Sequence, residues 1–583
     1  MFISGRHPAA TATVRFHRSF SSSRISNINR LHPDTLIVGS GAAALTAAFR
    51  AKSHNLNPLV IEKSPLIGGT TCYSGGGLWI PNSGVHPADS PDSFSEAMKY
   101  MQNTIDKHPT KSSSLARKYA FLENGPKMVD FLSQQGFQWQ ASVGYPDYYP
   151  LVEGGKTTGR SIEGRLFDLK KLGEWQSKIR MTPRKPLYPM YTFEAGHMYR
   201  HRVSIKGLMT AAKVAGWRMW SNKLLGRLPV TMGMSLVGQL LHLCIQRGIS
   251  IETQCSLKEL VITDGTVMGA RVTHDGEEKI IEAKQGVILA AGGFARNRDM
   301  RKCVQGDLGA NAKTLTSPED QGDAITAAMD VGAATELMDE AWWGPTLVDS
   351  TGKPYWTQFE RALPHSIIVD ESGNRFVNEA EAYTRFIHNL FAHQKKTGRG
   401  VPAFMILDSN HRDRYVLSGM MPGNIAQWAL DCGLYVKADT LEELAQKLDI
   451  EVKGLKSTVR QFNKMAAIGV DDEFERGRSP YDQFFGDPGY KANHNLGPIE
   501  KPPFHGAKLL PGDLGTKGGV LTDEFARAVK SDGSDIRGLY AVGNSSATVM
   551  GREYIGAGST LGPALTFAYV AANHIAQKEE RAK

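Results

Sequence analysis

Residues 34–62 constrain this chain more than any other stretch. Asp34-Thr-Leu-Ile-Val-Gly39 is a short apolar run ending in glycine, the pattern of a buried parallel strand. Gly39-Ser-Gly41-Ala-Ala-Ala44 follows, then an alanine-rich helix to about Ser53, then a second strand, Pro58-Leu-Val-Ile-Glu62, that ends on an acid. Strand, glycine turn, helix, strand and acid in this register make the βαβ unit that binds a dinucleotide. Gly39 allows the tight turn, Gly41 lets the backbone approach a pyrophosphate, and Ala44 keeps helix and sheet close. The helix N-terminus offers unpaired N–H groups to the phosphates. Glu62, 21 residues after Gly41, is placed to accept hydrogen bonds from ribose hydroxyls.

Three more glycine-rich segments decide which dinucleotide is expected. Gly68-Gly-Thr-Thr-Cys-Tyr-Ser-Gly-Gly-Gly77 directly follows the second strand. Gly286-Val-Ile-Leu-Ala-Ala-Gly-Gly293 reads as a strand ending in a turn, and Leu539-Tyr-Ala-Val-Gly-Asn544 as another. Thr560-Leu-Gly-Pro-Ala then opens an apolar helix to about Ile575, with Pro563 in the first turn, where its missing N–H costs nothing. That helix N-terminus can stabilise negative charge on a reduced isoalloxazine. Distant segments converging on one cofactor fit the long FAD molecule, and no second complete GxGxxG–acid unit offers itself to a nicotinamide. The residues expected to line FAD are Gly39, Ser40, Gly41, Ala43, Ala44, Glu62 and Lys63 from the first unit. Gly69, Thr70, Thr71, Ser74, Gly75 and Gly76 join them from the second segment, Ala291 and Gly292 from the third, and Gly543, Asn544, Thr560 and Leu561 from the C-terminal part.

The fold class is therefore α/β: a Rossmann-type FAD-binding domain split in sequence, over residues 34–343 and 513–583, with an inserted α+β catalytic domain over 344–512. Chain length alone, 583 residues at roughly 150 per domain, suggests about four units. The split cofactor unit reduces this to two. The inserted part carries Ile367-Ile-Val-Asp-Glu-Ser-Gly-Asn-Arg-Phe-Val-Asn-Glu379 and amphipathic helices such as Leu441 to Leu448. Residues 150–232 are less regular, with aromatic and methionine clusters at Tyr188, Met190, Tyr191, Trp217, Met219 and Trp220. They read either as a packing extension or, over 206–227, as a basic lid or membrane-surface helix above an apolar pocket, so peripheral membrane contact stays open.

The net charge is +9, from 68 Lys+Arg against 59 Asp+Glu. Five of the cations, Arg6, Arg15, Arg18, Arg24 and Arg30, fall in residues 1–33, which hold no acid; the rest of the chain has 63 against 59. With no basic-aromatic module in that remainder, a nucleic-acid partner is not expected. The arginine- and serine-rich leader has the composition of a mitochondrial transit peptide; the alternative is a disordered extension on a cytoplasmic protein. Cys72, Cys244, Cys255, Cys303 and Cys432 share no CxxC spacing, so no disulfide framework, structural metal or iron–sulfur cluster is expected. Leu228 to Gln246 is free of charge but contains Pro229, Gly233, Gly238, Gln239 and His242, and reads as a buried helix.

With these motifs in place the chain resembles flavoproteins of the fumarate reductase/succinate dehydrogenase type, and within them the 3-ketosteroid Δ1-dehydrogenases. The likeness covers nearly the whole chain after residue 33. It runs through the Gly39 turn, the Gly68–Gly77 segment, Arg375-Phe-Val-Asn-Glu379, Gly515-Thr-Lys-Gly-Gly519 and Tyr554-Ile-Gly-Ala-Gly558. It implies that the Tyr554 hydroxyl and the Gly558 N–H bind the substrate's 3-keto oxygen. It implies further that Tyr383 takes the proton from carbon 2, that Tyr148 hydrogen-bonds Tyr383, and that the flavin's nitrogen 5 accepts hydride from carbon 1. These residue types suit the chemistry. Removing a proton beside a ketone needs donors on the developing enolate, each worth about 3–4 kcal/mol. A tyrosine base, with a free pKa of about 10, needs its phenolate favoured by neighbouring donors. Tyr145 and Tyr149 read as packing or rim aromatics with satisfied hydroxyls.

The competing readings are a soluble fumarate reductase-like dicarboxylate enzyme and desaturation at the 4,5 position of the same ring. Dicarboxylate relatives place a catalytic arginine four residues after the glutamate of Arg-Phe-x-Asn-Glu; here that position is Tyr383, with Arg385 two residues on. The Gly68–Gly77 segment lacks the histidine that attaches flavin in succinate dehydrogenases, so FAD is expected to be non-covalent. Two prolines usual in the Tyr554 loop are absent, which predicts a looser loop and leaves steroid and triterpenoid ketones equally plausible. The electron acceptor, whether quinone, another carrier or oxygen, has no signature.

Overall fold

The computed structural model describes residues 32–182 and 188–582, so the leader reading falls almost wholly outside the described residues. The strand Thr35–Val38 pairs in parallel with Pro58–Glu62 on one side and Gly286–Leu289 on the other, with Val38 opposite both Ile61 and Leu289. Ser250–Thr253 extends this sheet beyond Pro58–Glu62 and Asp535–Ala541 beyond Gly286–Leu289, both in parallel. Arg527–Val529 closes the latter edge antiparallel, giving six strands.

Every residue of Thr35–Val38, Pro58–Glu62 and Gly286–Leu289 is buried, as a parallel sheet covered on both faces requires. Successive side chains point to opposite layers. Ile37 packs among helices, whereas Leu36 and Val38 pack with Leu257 and Val272 of an antiparallel sheet formed by Cys255–Thr263, Thr266–His274 and Glu277–Glu282. The helical layer contains Ala42–Ser53, Met232–Gln246 and the C-terminal Leu561–Ala582, which runs past the expected end near Ile575. Alanines at 42, 44, 47, 48 and 51 have no exposed surface, which lets neighbouring helices approach closely. Arg50 Nε donates to Asn573 Oδ1 at 2.6 Å and its guanidinium lies 4.7 Å from the Tyr569 ring centre, joining the first helix to the last.

The charge-free Leu228–Gln246 stretch forms a buried helix, as expected, from Met232 onward. No helix among the described residues is long and apolar enough to cross a membrane.

A second sheet is ordered Pro354–Trp356, Ala341–Val348, Phe504–Thr516, Ala403–Leu407, Ser366–Val369, with Lys313–Thr314 and Val436–Ala438 also paired to Phe504–Thr516. Two of its inner strands reach Ala341 and Thr516, a few residues beyond each end of 344–512. One apolar layer on this sheet contains Phe386, Ile387 and Leu390 of the helix Tyr383–Thr397; the other contains Leu444, Leu455 and Phe462. Loops leaving the C-terminal ends of the parallel strands meet this second body, and a large cavity lies there, where doubly wound folds bind ligands.

Candidate active site

The cavity wall contains every residue expected to line FAD except Ala44. Ala44 is fully buried in the core between helix and sheet, which is the packing role its motif position gives it. Two of the wall's glycines let neighbouring backbone segments pack closely around the cavity. Gly39 adopts φ +109°, and a Cβ there would lie 2.4 Å from the Ala290 carbonyl oxygen. Gly76, at φ +68°, would meet the backbone of Met232 at 2.3 Å. The helix Ala42–Ser53 points its N-terminus at this wall, and Thr71 Oγ1 accepts from Ala42 N at 3.3 Å.

One oxygen of Glu62 accepts from Ser40 N and Oγ, at 3.1 and 2.6 Å, and the other accepts from Ser64 N at 2.9 Å. Burial pushes its carboxyl up, against those bonds, which hold it down. Residues 317–324 complete this end and were not foreseen: Asp323 pairs with Lys63 at 2.6 Å and Glu319 with Arg180 at 2.7 Å. A long glycine-lined groove with a helix N-terminus, a fixed acid and the opening of the helix Leu561–Ala582 on its wall fits FAD.

At the inner end the three expected tyrosines meet. Tyr148 stacks on Tyr554, ring centres 5.2 Å apart at 13°; Tyr383 packs edge-on to both, at 5.5 Å from Tyr148 and 5.1 Å from Tyr554. All three are buried, and Gly558 shares their wall. Burial raises the Tyr383 phenol well above its usual pKa, while a hydrogen bond with Tyr148 lowers it. Tyr148 itself is raised by burial and by the surrounding phenols. Tyr383 also opens the helix Tyr383–Thr397, whose N-terminal end favours negative charge nearby.

Each tyrosine is delivered by a tied segment. Arg375 grips Glu379 with Nε and Nη2, both at 2.8 Å, and Asp471 at 2.7 Å. Arg361 donates to the carbonyls of Glu379 and Glu381, fixing the turn just before Tyr383. Arg375-Phe-Val-Asn-Glu379 is thus the clamp behind the site. Asp147 holds the Tyr148 segment through Arg160 at 2.5 Å and Trp79 Nε1 at 2.8 Å.

The Tyr554 loop, expected to be looser for want of prolines, is instead held by donors on its carbonyls. Lys517 Nζ takes those of Arg552 and Glu553 at 2.7 and 3.2 Å. Tyr148 N and the Tyr100 hydroxyl take that of Ile555 at 2.9 and 2.6 Å, and Ser161 Oγ takes that of Ala557 at 2.6 Å. Hydrogen bonds from distant residues replace the stiffness proline supplies locally. Lys517, from the Gly515–Gly519 segment, is wholly buried against the Trp342 face and its pKa falls to about 8 through desolvation.

Tyr145, read as a packing aromatic, lies on the cavity wall; Gln358 Nε2 donates to its hydroxyl at 3.1 Å, and that hydroxyl is 3.4 Å from Tyr148's. Tyr149 does pack away from the cavity, donating to Glu553 Oε2 at 2.8 Å. Trp356 packs edge-on to Tyr383 at 5.3 Å, and Tyr481 lies 4.8 Å from Tyr148. Neither carried a sequence signal, because each sits in a segment far from the residue it touches. Arg385 stands over the Tyr149 ring at 5.2 Å and is absent from the wall, where among the described residues the cations are Lys63 and Arg180, both at the acid-rich end. Among the described residues, a dicarboxylate finds no cationic anchor beside the tyrosines.

This fold and this cavity define a flavin-dependent oxidoreductase. A family model described as FAD binding domain matches residues 34–561. The chain is 41% identical to a 3-oxosteroid 1-dehydrogenase of Mycobacterium tuberculosis over 569 residues, covering 94% of this chain and 98% of that one. It is 32% identical to a 4-oxocyclohexanecarboxylate 2-dehydrogenase of Sinomonas cyclohexanicum, covering 93% and 92%. The crystal structure of a 3-ketosteroid Δ1-dehydrogenase from Sterolibacterium denitrificans in complex with 1,4-androstadiene-3,17-dione superimposes with a TM-score of 0.88 at 36% identity, covering 94% of this chain and all of that one. The chain belongs to the FAD-binding domain family, in the group that holds the 3-oxosteroid 1-dehydrogenases, and FAD is its cofactor.

Proposed function

We propose that this protein introduces a 1,2 double bond into ring A of 3-keto steroids or related 3-keto triterpenoids. The observation that carries the reading is three buried, mutually packed phenols at the end of the cofactor groove, away from the acid-rich end that holds Lys63 and Arg180. FAD, when bound without a covalent link, supplies the acceptor for hydride from carbon 1. Glu62 and the first-turn N–H groups of Ala42–Ser53 bind its ribose and pyrophosphate. The Tyr554 hydroxyl and Gly558 N–H donate to the ketone oxygen and stabilise the enolate that forms as carbon 2 loses its proton. Tyr383 takes that proton, and Tyr148 donates to Tyr383 to hold its charge. Apolar walls from Trp356, Phe359 and Met190 seat a flat hydrophobic substrate with few polar groups to desolvate.

Reducing the flavin anaerobically with a panel of 3-keto steroids, 3-keto triterpenoids and succinate tests the reading. Ketosteroids should bleach it and succinate should not; the reverse pattern would replace this assignment with the dicarboxylate one. Proton NMR of the product separates 1,2 from 4,5 desaturation.

Two further results are expected. Because Tyr383 acts deprotonated and burial raises its pKa above the usual value of about 10, kcat/KM should climb with pH through the alkaline range. A profile flat from neutrality upward would remove the phenolate from the mechanism. Gly558 adopts φ +95°, and a Cβ there would lie 2.4 Å from the Gly77 carbonyl oxygen. Gly558→Ala should therefore displace the backbone donor and lower kcat, measured per bound flavin because Gly77 belongs to the cofactor wall, by about 100-fold or more.

For residues 1–33 we keep the reading of a mitochondrial targeting segment on composition alone, since the relatives above are bacterial and lend it no support. A fluorescent fusion of these residues that stays in the cytosol of a eukaryotic cell would dismiss it.

A further inference from the structure

Tyr145 belongs to a chain of polar groups that ends on Tyr383. Its ring is buried, stacked on Phe484 with centres 4.9 Å apart at 10° and set edge-on to Phe485 at 5.6 Å. A phenylalanine would serve that packing equally well. The residue instead carries a hydroxyl into an apolar layer, where an unbonded one is costly. Among the described residues this hydroxyl has two partners, Gln358 Nε2 at 3.1 Å and the Tyr148 oxygen at 3.4 Å.

The direction of these bonds follows from the amide. Trp356 Nε1, which can only donate, lies 3.4 Å from Gln358 Oε1. The amide oxygen therefore faces Trp356 and the NH2 faces Tyr145; the flipped amide would set two donors against each other. The Tyr145 oxygen accepts from the amide, so its own hydrogen is left for Tyr148, and Tyr148 in turn bonds Tyr383. Every link donates toward Tyr383, and each polarises the next. The other ionisable groups facing these phenols, Tyr481, Tyr554 and the Glu163 carboxyl, oppose a phenolate. A charge on Tyr145 would also oppose one on Tyr383, so the chain serves Tyr383 only while Tyr145 is neutral. Burial holds the Tyr145 phenol above its usual range and keeps it a donor.

We propose that Tyr145 and Gln358 are positioning residues for the Tyr383 base: Gln358 turns the Tyr145 hydrogen onto Tyr148, and Tyr148 turns its own onto Tyr383. The inference rests on the reading of Tyr383 given under the proposed function. Neither residue receives the carbon 2 proton. Together they ensure that a phenolate forming on Tyr383 meets a hydrogen rather than a lone pair. The 3.4 Å link is long for an O–H···O bond and should tighten as charge develops at the far end of the chain.

The test compares pH profiles of the flavin-loaded wild type, Tyr145→Phe and Gln358→Met on a 3-keto steroid. Tyr145→Phe keeps the stack on Phe484, and Gln358→Met keeps the side-chain length while losing the donor. Each should move the alkaline limb of kcat/KM upward by about one pH unit, so that activity at a fixed pH on the limb falls about tenfold and recovers as pH rises. Gln358→Glu, whose carboxylate can only accept, should turn the chain round and move the limb further than Gln358→Met. A packing defect alone would lower the top of the profile and leave the limb in place. A second measurement needs no turnover: tyrosinate absorbance is titrated in each protein against its own double variant with Y383F, which isolates the Tyr383 ionisation. That ionisation should shift by the same amount as the limb. A limb and a tyrosinate titration unmoved in both Tyr145→Phe and Gln358→Met overturn the proposal. Should Tyr145→Phe not take up flavin, the two variants at the half-buried Gln358 decide it alone. Absence of ketosteroid turnover in the wild type would sink the reaction and not the donor chain, which the titration then reads by itself.

Discussion

Tyr383→Phe should leave the protein folded, yellow and almost inert, with kcat reduced on the order of 1000-fold or more, in line with what a positioned acid–base group contributes. The substitution removes one oxygen and keeps the ring. Its packing against Tyr148, Tyr554 and Trp356, and the apolar layer behind it, are therefore retained. What is lost is the atom that receives the carbon 2 proton. Thermal melting and flavin content should match the wild type, which separates a chemical defect from a structural one. Tyr554→Phe should also slow turnover, by removing an enolate donor, but should retain the alkaline rise of kcat/KM because Tyr383 is intact. Substantial activity in Tyr383→Phe, with normal flavin content, would take the base role away from this residue.

Gly39→Ala should yield a colourless protein, poorly soluble or unable to take up FAD. At φ +109° an L side chain is strained wherever it finds space, and here it finds none. Its Cβ would fall 2.4 Å from the Ala290 oxygen and 2.8 Å from both the Ala290 carbonyl carbon and the Ala291 Cα. Those atoms follow the strand Gly286–Leu289, fixed in register against Thr35–Val38, so no flexible side chain can swing aside. Relief requires Thr35–Val38 and Gly286–Leu289 to part where the pyrophosphate would lie. Gly136 makes an informative control: it also has positive φ, +98°, but nothing lies within 4 Å of its Cβ and it is absent from the cavity wall, so Gly136→Ala should cost far less. Equal flavin content in Gly39→Ala and wild type would mean that this turn does not shape the cofactor site.

The contrast between these two glycines shows what was legible beforehand and what was not. Gly39 announces itself because strand, turn, helix and acid fall within 29 consecutive residues, 34–62, and local sequence dictates local backbone. The Tyr148, Tyr383 and Tyr554 positions were legible for a different reason, through resemblance of motifs; nothing in spacing or periodicity joins segments so far apart. The ends of Tyr145, Tyr481, Trp356 and Gln358 that complete the cluster carried no signal, since an aromatic beside a loop reads the same whether it faces a core or a cavity. Loss of two prolines pointed to a slack Tyr554 loop, because proline acts through its own residue. The compensating donors, Lys517, Tyr100 and Ser161, act across the fold and are invisible from the loop itself. Likewise the cluster of tryptophans and methionines near 217–220 was visible as composition, but only burial shows that it faces outward.

The sequence by itself determined a split, FAD-binding α/β chain, because glycines at left-handed turns, alanines at close helix contacts and an acid at a strand end are each required by geometry within a few residues. The tertiary structure decided the rest: which phenols share one buried wall, which cations sit at the acid-rich end of the cavity, and which apolar helix face is left to the solvent. Those are relations between side chains brought together by packing of the two sheets, and packing is a property of the whole chain rather than of any segment.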